Sequence, residues 1–409
     1  MTDVHNRLRR IAASVTGLVF FVSGMLKLMD PVGAKLVVSE YFSFFGLEFM
    51  DLLSAPVAVF MALLETFTGV ALVTGVFRRL AAAVTGVLLS VFTVITAILL
   101  IANPEMDCGC FGEAVHLTHL QTFLKNVALC LLAAFAFIPF RDYGVPRKRS
   151  YVSFSLVTVF SVFVLVWSSV NQPLTDFTPF RLSSVLAAAD NGDGDADDIY
   201  VATYIYSKNG QEGVFTLDNL PDSTWTFVRT ETIARQDNIT PSGSPSLSIY
   251  DNEGYYHDEL AASGHVMVVS VYDVTRVDIE RWQEIARFIT AAETAGFTPL
   301  LLTAPAPTGS GEERLMELLG DELASILAPV WYQSDFKTLV SLNRSNGGAS
   351  CFMDGQLIRR WGRNFLPDDG KLSDIIWHDS IDLMLSVSTE GRLLMQASFL
   401  YSLALMLLL

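Results

Sequence analysis

Charged residues are scarce in this chain, at 17% of its 409 residues, against roughly a quarter in soluble globular domains. That scarcity argues against a single soluble domain. Cysteine is scarcer still: Cys108, Cys110, Cys130 and Cys351 are the only four, too few and too widely spaced for a disulfide framework. Basic residues are outnumbered, 27 Lys and Arg against 43 Asp and Glu, for a formal net charge of −16. A nucleic-acid binder needs a basic footprint to neutralise phosphates, so that class is set aside. What the chain has in plenty is apolar side chains, 51% of the total.

These are unevenly spread. Ile11 to Val170 is mostly apolar runs, whereas Asn171 to Gly391 reads as ordinary soluble protein and carries a net −19, leaving +3 for the rest. The acidity therefore belongs to one lobe and is read as its solvated surface.

A membrane-spanning helix needs about 20 mostly apolar residues. The chain offers Ile11–Leu28, Leu53–Val76, Leu80–Ala102, Leu120–Phe140, Val152–Val170 and a short sixth stretch, Leu393–Leu409. The first has a basic prefix like a signal peptide, but no small-residue cleavage site follows and Lys27-Leu-Met-Asp-Pro31 ends it, so it is read as retained. The sixth is short enough to be instead a buried helix of the soluble lobe.

Orientation follows from Lys and Arg in the short loops, which stay cytoplasmic. Arg7, Arg9 and Arg10 precede the first span, Arg78 and Arg79 separate the second and third, and Arg141, Arg147, Lys148 and Arg149 separate the fourth and fifth. All fall on one side. The other side receives Asp30–Asp51, the Asn103–His119 loop and the acidic lobe, with both termini cytoplasmic.

The Asn103–His119 loop contains Cys108-Gly109-Cys110-Phe111-Gly112. Its Pro and Gly residues mark a turning, irregular backbone, expected to leave both thiols reachable. Closed on itself, a Cys-x-Cys pair makes a small strained ring that is easier to reduce and hence more oxidising, and Gly109 permits the dihedrals this requires. On an outer membrane-facing side, conditions favour oxidation. The pair is then a redox dithiol exchanging disulfides with secreted proteins or with membrane quinone, a static staple of the loop, or two half-ligands of a soft metal.

Glu65 falls mid-span, where an ionisable group is costly and marks a functional site. Lys27, at the outer end of the first span, is positioned to snorkel, and Lys125 with Asn126, one turn into the fourth, either snorkels or partners Glu65. Cys130 sits within a span as a small hydrophobe, and Cys351 reads as a buried strand residue. The acidic run from Asp190 to Asp198 lacks calcium-loop ligand spacing, since position twelve from Asp193 is Tyr204, and is read as a linker.

In the lobe, Val266–Tyr272 is a near-continuous apolar run suited to a central strand. Ile279, Trp282, Ile285 and Ile289 follow at helical spacing, then a strand at Pro299–Thr303, a helix at Glu312–Leu327 and a hairpin of Ala349–Met353 and Gln356–Trp361 around Asp354-Gly355. Upstream, Ala202–Tyr206 and Val214–Leu217 read as short strands of a β-rich segment. The α/β order is that of a thioredoxin-like domain, but Tyr272 to Asp278 stands where a Cys-x-x-Cys would be, and Asn346-Gly-Gly348 where a cis-proline would be. Such a lobe binds or spaces rather than exchanging disulfides itself.

The region from about residue 7 to 141, with Lys27, Glu65, Asp107-Cys-Gly-Cys-Phe-Gly112 and Leu117-Thr-His-Leu-Gln-Thr-Phe-Leu-Lys-Asn126, resembles the DoxX-like membrane proteins and most closely their MauE branch, the methylamine-utilisation proteins. The resemblance implies a bacterial inner-membrane protein that matures or forms disulfides in an extracytoplasmic partner. In the name-giving case that partner is the disulfide-rich small subunit of methylamine dehydrogenase, a substrate not carried over to this chain.

The expected architecture is thus an α-helical membrane bundle of four MauE-like spans plus two more, with a periplasmic thioredoxin-like α/β domain. The expected units are residues 1–150, a fifth span at 151–170, a β-rich segment at 171–260, the α/β domain at 261–391 and a sixth span at 392–409. Cys108, Cys110 and Glu65 are the expected catalytic residues, supported by Lys27, Gly109, Phe111, Gly112, Lys125 and Asn126. No cofactor is evident beyond a membrane quinone, no metal is expected, and the partners are lipid and a protein client. The alternatives are a scaffold with a structural disulfide, a quinone-linked oxidoreductase subunit, and a small-solute permease built around Glu65.

Overall fold

The computed structural model describes residues 2–104, 106, 108–115, 117–138, 146–170, 172–173, 177–182, 184–187, 200–208, 211–216, 226–234, 244–305, 311–377, 393, 396–397, 399–402, 404 and 406. Asp107, Arg141 and the acidic run at 190–198 lie outside them.

The N-terminal part is helical: α1 (Thr2–Met29), α2 (Pro31–Phe44), α3 (Ser54–Thr74), α4 (Arg78–Ala102), α5 (His119–Phe137) and α6 (Lys148–Val170). All but α2 are long and apolar enough to cross a membrane, so this is a membrane protein. Helices α1 and α3 approach closely through small residues, as spanning helices do. A Cβ on Gly69 would lie 2.4 Å from the Phe21 backbone nitrogen, so only glycine fits there. Phe21, Met25 and Leu28 of α1 then pack with Ala62 and Val70 of α3 and Val157 and Val164 of α6.

Arg9, one of the three arginines that precede the first span, is buried. Its Nε donates to the Phe135 and Ala136 carbonyls at 3.0 and 3.2 Å. These belong to the last turn of α5, whose carbonyls have no partner within the helix and whose dipole favours a cation.

Residues 30–51, expected only as a loop, form α2 and a 3-10 turn (Glu48–Leu53). The cause is local: Asp30 caps the helix by accepting from the Gly33 amide at 2.9 Å, and Pro31 occupies the first helical position. The described residues of the final stretch are helical. Met406 joins the α1/α3/α6 core and Phe399 meets Phe21 edge to face, ring centres 6.3 Å apart. That packing puts the stretch with the bundle rather than with the α/β lobe.

In chain order, an antiparallel sheet follows the bundle and precedes the lobe. Its strands, β2 (Tyr200–Lys208), β3 (Gln211–Thr216) and β4 (Thr226–Ala234), follow a short β1 (Cys110–Glu113) in the α4–α5 loop and take the order β3-β2-β4. The lobe runs β5 (His265–Val271), α7 (Ile279–Ala295), β6 (Thr298–Thr303), α8 (Gly311–Leu327), β7 (Trp331–Gln333), α9 (Phe336–Leu342), β8 (Gly348–Met353), β9 (Gln356–Trp361) and α10 (Asp369–Trp377). Its sheet order is β7-β6-β5-β8-β9, parallel from β5 to β7 and antiparallel through β8 and β9.

Successive residues of β5 face opposite sides of the sheet. Met267, Val269 and Val271 meet Trp282, Ile285 and Ile289 of α7, and Val266 and Val268 meet Leu339 and Leu342 of α9. The β8–β9 turn has Asp354 and Gly355 at φ 47° and 73°, as a type I′ hairpin requires. This is the thioredoxin-like order expected. After β5, where a dithiol would sit, the Asp273 backbone is instead clamped by Asn346, whose side chain accepts from the Asp273 amide at 3.0 Å and donates to its carbonyl at 2.7 Å.

Candidate functional site

The site forms where the α4–α5 loop folds back onto α1, α2 and α3. Gly109 has φ 55° and Gly112 φ 61°, left-handed positions open to glycine at little cost. A Cβ on Gly109 would lie 2.1 Å from Val37 Cγ1, so glycine there also lets α2 close over the loop. The Tyr41 hydroxyl of α2 donates to the Cys108 carbonyl at 2.7 Å. Burial above all, then the neighbouring Cys110, Cys108 and Glu40, raises the pKa of Tyr41 above its ordinary value, so it stays a neutral donor.

Cys108 and Cys110 stand as thiols, but they are not equally reachable as expected. Cys108 is 4% exposed, beneath α2, whereas Cys110 is half-buried. Cys108 Sγ lies 3.0 Å from His119 Nδ1, and His119 Nε2 lies 3.0 Å from the Pro104 carbonyl. His119 is the first residue of α5, positioned by a capping box between Thr118 and Gln121. Its role was legible only in that a histidine opens a helix eleven residues after the first thiol.

Across from the thiols, Glu65 is 2% exposed. Lys27 Nζ donates to both its carboxylate oxygens, at 2.7 and 2.9 Å. Lys27 therefore turns inward to neutralise Glu65 rather than snorkelling outward, as a charge at this depth requires. Ser23, one turn before Lys27, has its hydroxyl 2.7 Å from Glu65 Oε2 and 2.5 Å from the Cys110 carbonyl. With one proton it serves one acceptor at a time, and it ties the Cys110 backbone to the ion pair. Lys125 does not take the Glu65 role: its Nζ sits over the Phe111 ring, 4.7 Å from the centre, a cation–π contact. Asn126 is buried and donates to Thr96 Oγ1 at 3.3 Å.

Together these surround a cavity of about 320 Å³. Lys27, Glu65, Cys108 and Cys110 are among the polar lining, with Ser23, Tyr41, Lys125 and Asn126 beside them, and the rest of the wall is chiefly apolar, from residues such as Phe20, Val37 and Phe92. A few convergent polar groups in an apolar cavity of this size are what a small-molecule site presents.

The other cysteines are not part of it. Cys130 Sγ is 3.5 Å from Thr93 Oγ1 between α4 and α5. Cys351 is fully buried in β8, where burial pushes its thiol up to about 12.

Among the described residues, two ion pairs tie the lobe to α2. Arg344 Nη2 donates to Asp30 Oδ2 at 2.8 Å, both side chains buried, and Lys337 Nζ donates to Glu40 Oε1 at 2.7 Å at the surface. The helix that covers Cys108 is thereby held at both ends by the α/β lobe. Neither link was legible in the sequence, because nothing local marks a pairing across 314 positions.

The segment of this chain that is similar to a known family contains every bundle residue of the site. Residues 6–139 match the family of methylamine utilisation protein MauE. That MauE-like segment runs from α1 through α5 and includes the thiol loop, His119 and the Lys27–Glu65 pair. Helix α6 and the lobe lie outside it. Residues 200–236, holding β2 to β4, match a domain of unknown function, DUF8463. Protein TlpB of Flavobacterium psychrophilum is 24% identical over 171 residues, 41% of this chain and 46% of that protein. The chain thus spans about half the length of that curated relative. No solved structure matches it.

Proposed function

We propose that this protein is a thiol–disulfide exchange factor of the bacterial inner membrane, in which Cys108 and Cys110 pass a disulfide to proteins on the extracytoplasmic side. The observation that carries this reading is the position of the two thiols: they line one apolar cavity with Lys27 and Glu65, and one of them is hydrogen-bonded to a histidine. A loop staple needs neither a cavity nor a base. The MauE-like match and the basic residues clustered at the opposite helix ends, Arg78, Arg79 and Lys148 among them, support the location.

The chemistry balances as two exchanges. A client dithiol gives two electrons and two protons to the Cys108–Cys110 disulfide, so the client gains a disulfide and the pair becomes two thiols. The pair then passes two electrons and two protons to a membrane quinone, giving quinol and restoring the disulfide. The cavity suits a flat apolar carrier entering from lipid, and the lobe, tied to α2 by Asp30–Arg344, holds the client near Cys110.

The test is client capture. In a Cys108→Ser protein the Cys110 thiolate still attacks the disulfide of an oxidised client, and the Cys108 sulfur that would displace the reduced client is gone, so non-reducing gels of membranes should show a mixed disulfide that collapses on reduction. Absence of any such species, with a Cys108→Ser/Cys110→Ser protein fully replacing the natural one in cells, would leave only a structural role.

A further inference from the structure

We infer that His119 is a catalytic residue of this pair, the proton acceptor and donor of Cys108, and that it divides the labour between the two sulfurs. Cys108 is the thiolate that leaves and returns, and Cys110 is the sulfur that bonds the client. This rests on the exchange reading above for its role in turnover, while the pairing itself is independent of any client.

The assignment comes from the partner on the far side of the ring. The Pro104 carbonyl can only accept a hydrogen bond. The 3.0 Å contact from His119 Nε2 to Pro104 O therefore places a proton on Nε2. In the neutral ring that leaves the lone pair on Nδ1, which faces Cys108 Sγ at 3.0 Å. A base held in the correct tautomer by a third group, and within hydrogen-bond reach of a thiol, is the arrangement that activates cysteine nucleophiles. Helix α5 begins at His119, so its dipole adds positive potential at the same spot, which further favours a thiolate.

Exposure then separates the sulfurs. Cys108 is 4% exposed and covered by α2, out of reach of a protein client, whereas Cys110 is partly open. A client thiolate attacks Cys110 Sγ. The Cys108–Cys110 bond breaks, a client–Cys110 disulfide forms, and the electron pair departs on the Cys108 sulfur; the proton given up by the client thiol is taken by His119 Nδ1, and the resulting imidazolium passes it to that sulfur. A second client thiolate attacks the client sulfur of the mixed disulfide and frees Cys110. A stabilised leaving thiolate speeds the first step. Other titratable groups gathered about Cys108, among the described residues, are Tyr41 and Glu40 from α2, Cys110 from its own loop, Lys125 from α5 and the Lys27–Glu65 pair of α1 and α3.

The test is alkylation of the fully reduced, full-length protein with iodoacetamide, each cysteine read separately by peptide mass spectrometry. His119→Gln keeps an N–H donor for Pro104 but has no basic nitrogen, and His119→Ala is the second variant. The expectation at pH 7 is that both slow Cys108 about tenfold, the scale of a one-unit change in thiol acidity, leave Cys110 within about twofold, and converge with the natural protein near pH 10. The natural protein supplies a reading that needs no variant: between pH 6 and pH 8.5 the Cys108 rate rises less steeply than that of a cysteine peptide. A Cys108 rate unchanged by both variants, or rising as steeply as the peptide, overturns the assignment. Since no client or quinone is present, failure here is distinct from failure of client capture.

Discussion

Asp30 and Arg344 lie 314 positions apart in the chain and meet in a buried ion pair, Nη2 to Oδ2 at 2.8 Å. Asp30 is also the N-cap of the helix that covers Cys108, so one carboxylate both starts that helix and fastens it to the α/β lobe.

Asp30→Asn separates these roles, because the amide oxygen still accepts from Gly33 while the charge is gone. Breaking a buried pair by neutralising one partner costs roughly 3–5 kcal/mol. Hydrogen exchange in α2 and α9 should rise in this variant, and Cys108 should become more open to alkylation. Exchange at the level of the natural protein in both helices would show that the pair does not hold lobe and bundle together.

Lys27→Met leaves Glu65 buried without its cation and is expected to destabilise the bundle by roughly 3 kcal/mol. Lys27→Met/Glu65→Leu, which removes both charges, should recover most of that loss, since an apolar pair of similar volume is often no worse than a buried ion pair. A double-mutant cycle by thermal or denaturant unfolding in detergent measures the coupling. Additive losses in that cycle would mean that the two groups act separately.

Which parts of this were readable in advance follows from whether the signal is local. The spans, β5, α7 and the β8–β9 hairpin announce themselves by apolar runs, helical spacing and the Asp354-Gly355 turn. Helix α2 is harder to see, because Pro31-Val-Gly-Ala-Lys-Leu-Val-Val is too short to span and is apolar without a helical stripe; only its Asp30-Pro31 start is a helix signal. The short β7, the seven-residue α9 and the nine-residue α10 carry too few residues to show a period, and they form because the sheet offers them a face to cover.

The site was half legible for the same reason. Cys108, Cys110 and Glu65 stand out by residue type in an apolar setting, but the partner of Glu65 does not: a buried charge needs one, the sequence points to Lys125, and only the fold turns Lys27 inward to meet it. His119, Tyr41 and Ser23 are ordinary residues by type, made important by which atoms they face. The expectation that both thiols are reachable failed because the loop is covered by α2, which the sequence reading did not contain.

Cys351 should be inert. Burial raises its thiol from about 9 to about 12, so near pH 8 it carries almost no thiolate and alkylation should leave it untouched in the folded protein. The sign of the stability effect follows from proton binding. Between pH 9 and pH 12 the unfolded chain releases this proton and the folded lobe keeps it, so stability falls as pH rises, by up to about 1.4 kcal/mol per unit from this group. Cys351→Ala should flatten that part of the curve. Ready labelling of Cys351 at pH 8 would contradict the burial described here.

The most direct test of the central claim is the redox state of Cys108 and Cys110 in native membranes, fixed by acid quench and differential alkylation. The account predicts a mixture of dithiol and disulfide, shifted toward dithiol when membrane quinone is depleted and toward disulfide when a quinone is added back. A single fixed state, unmoved by either treatment, would contradict it.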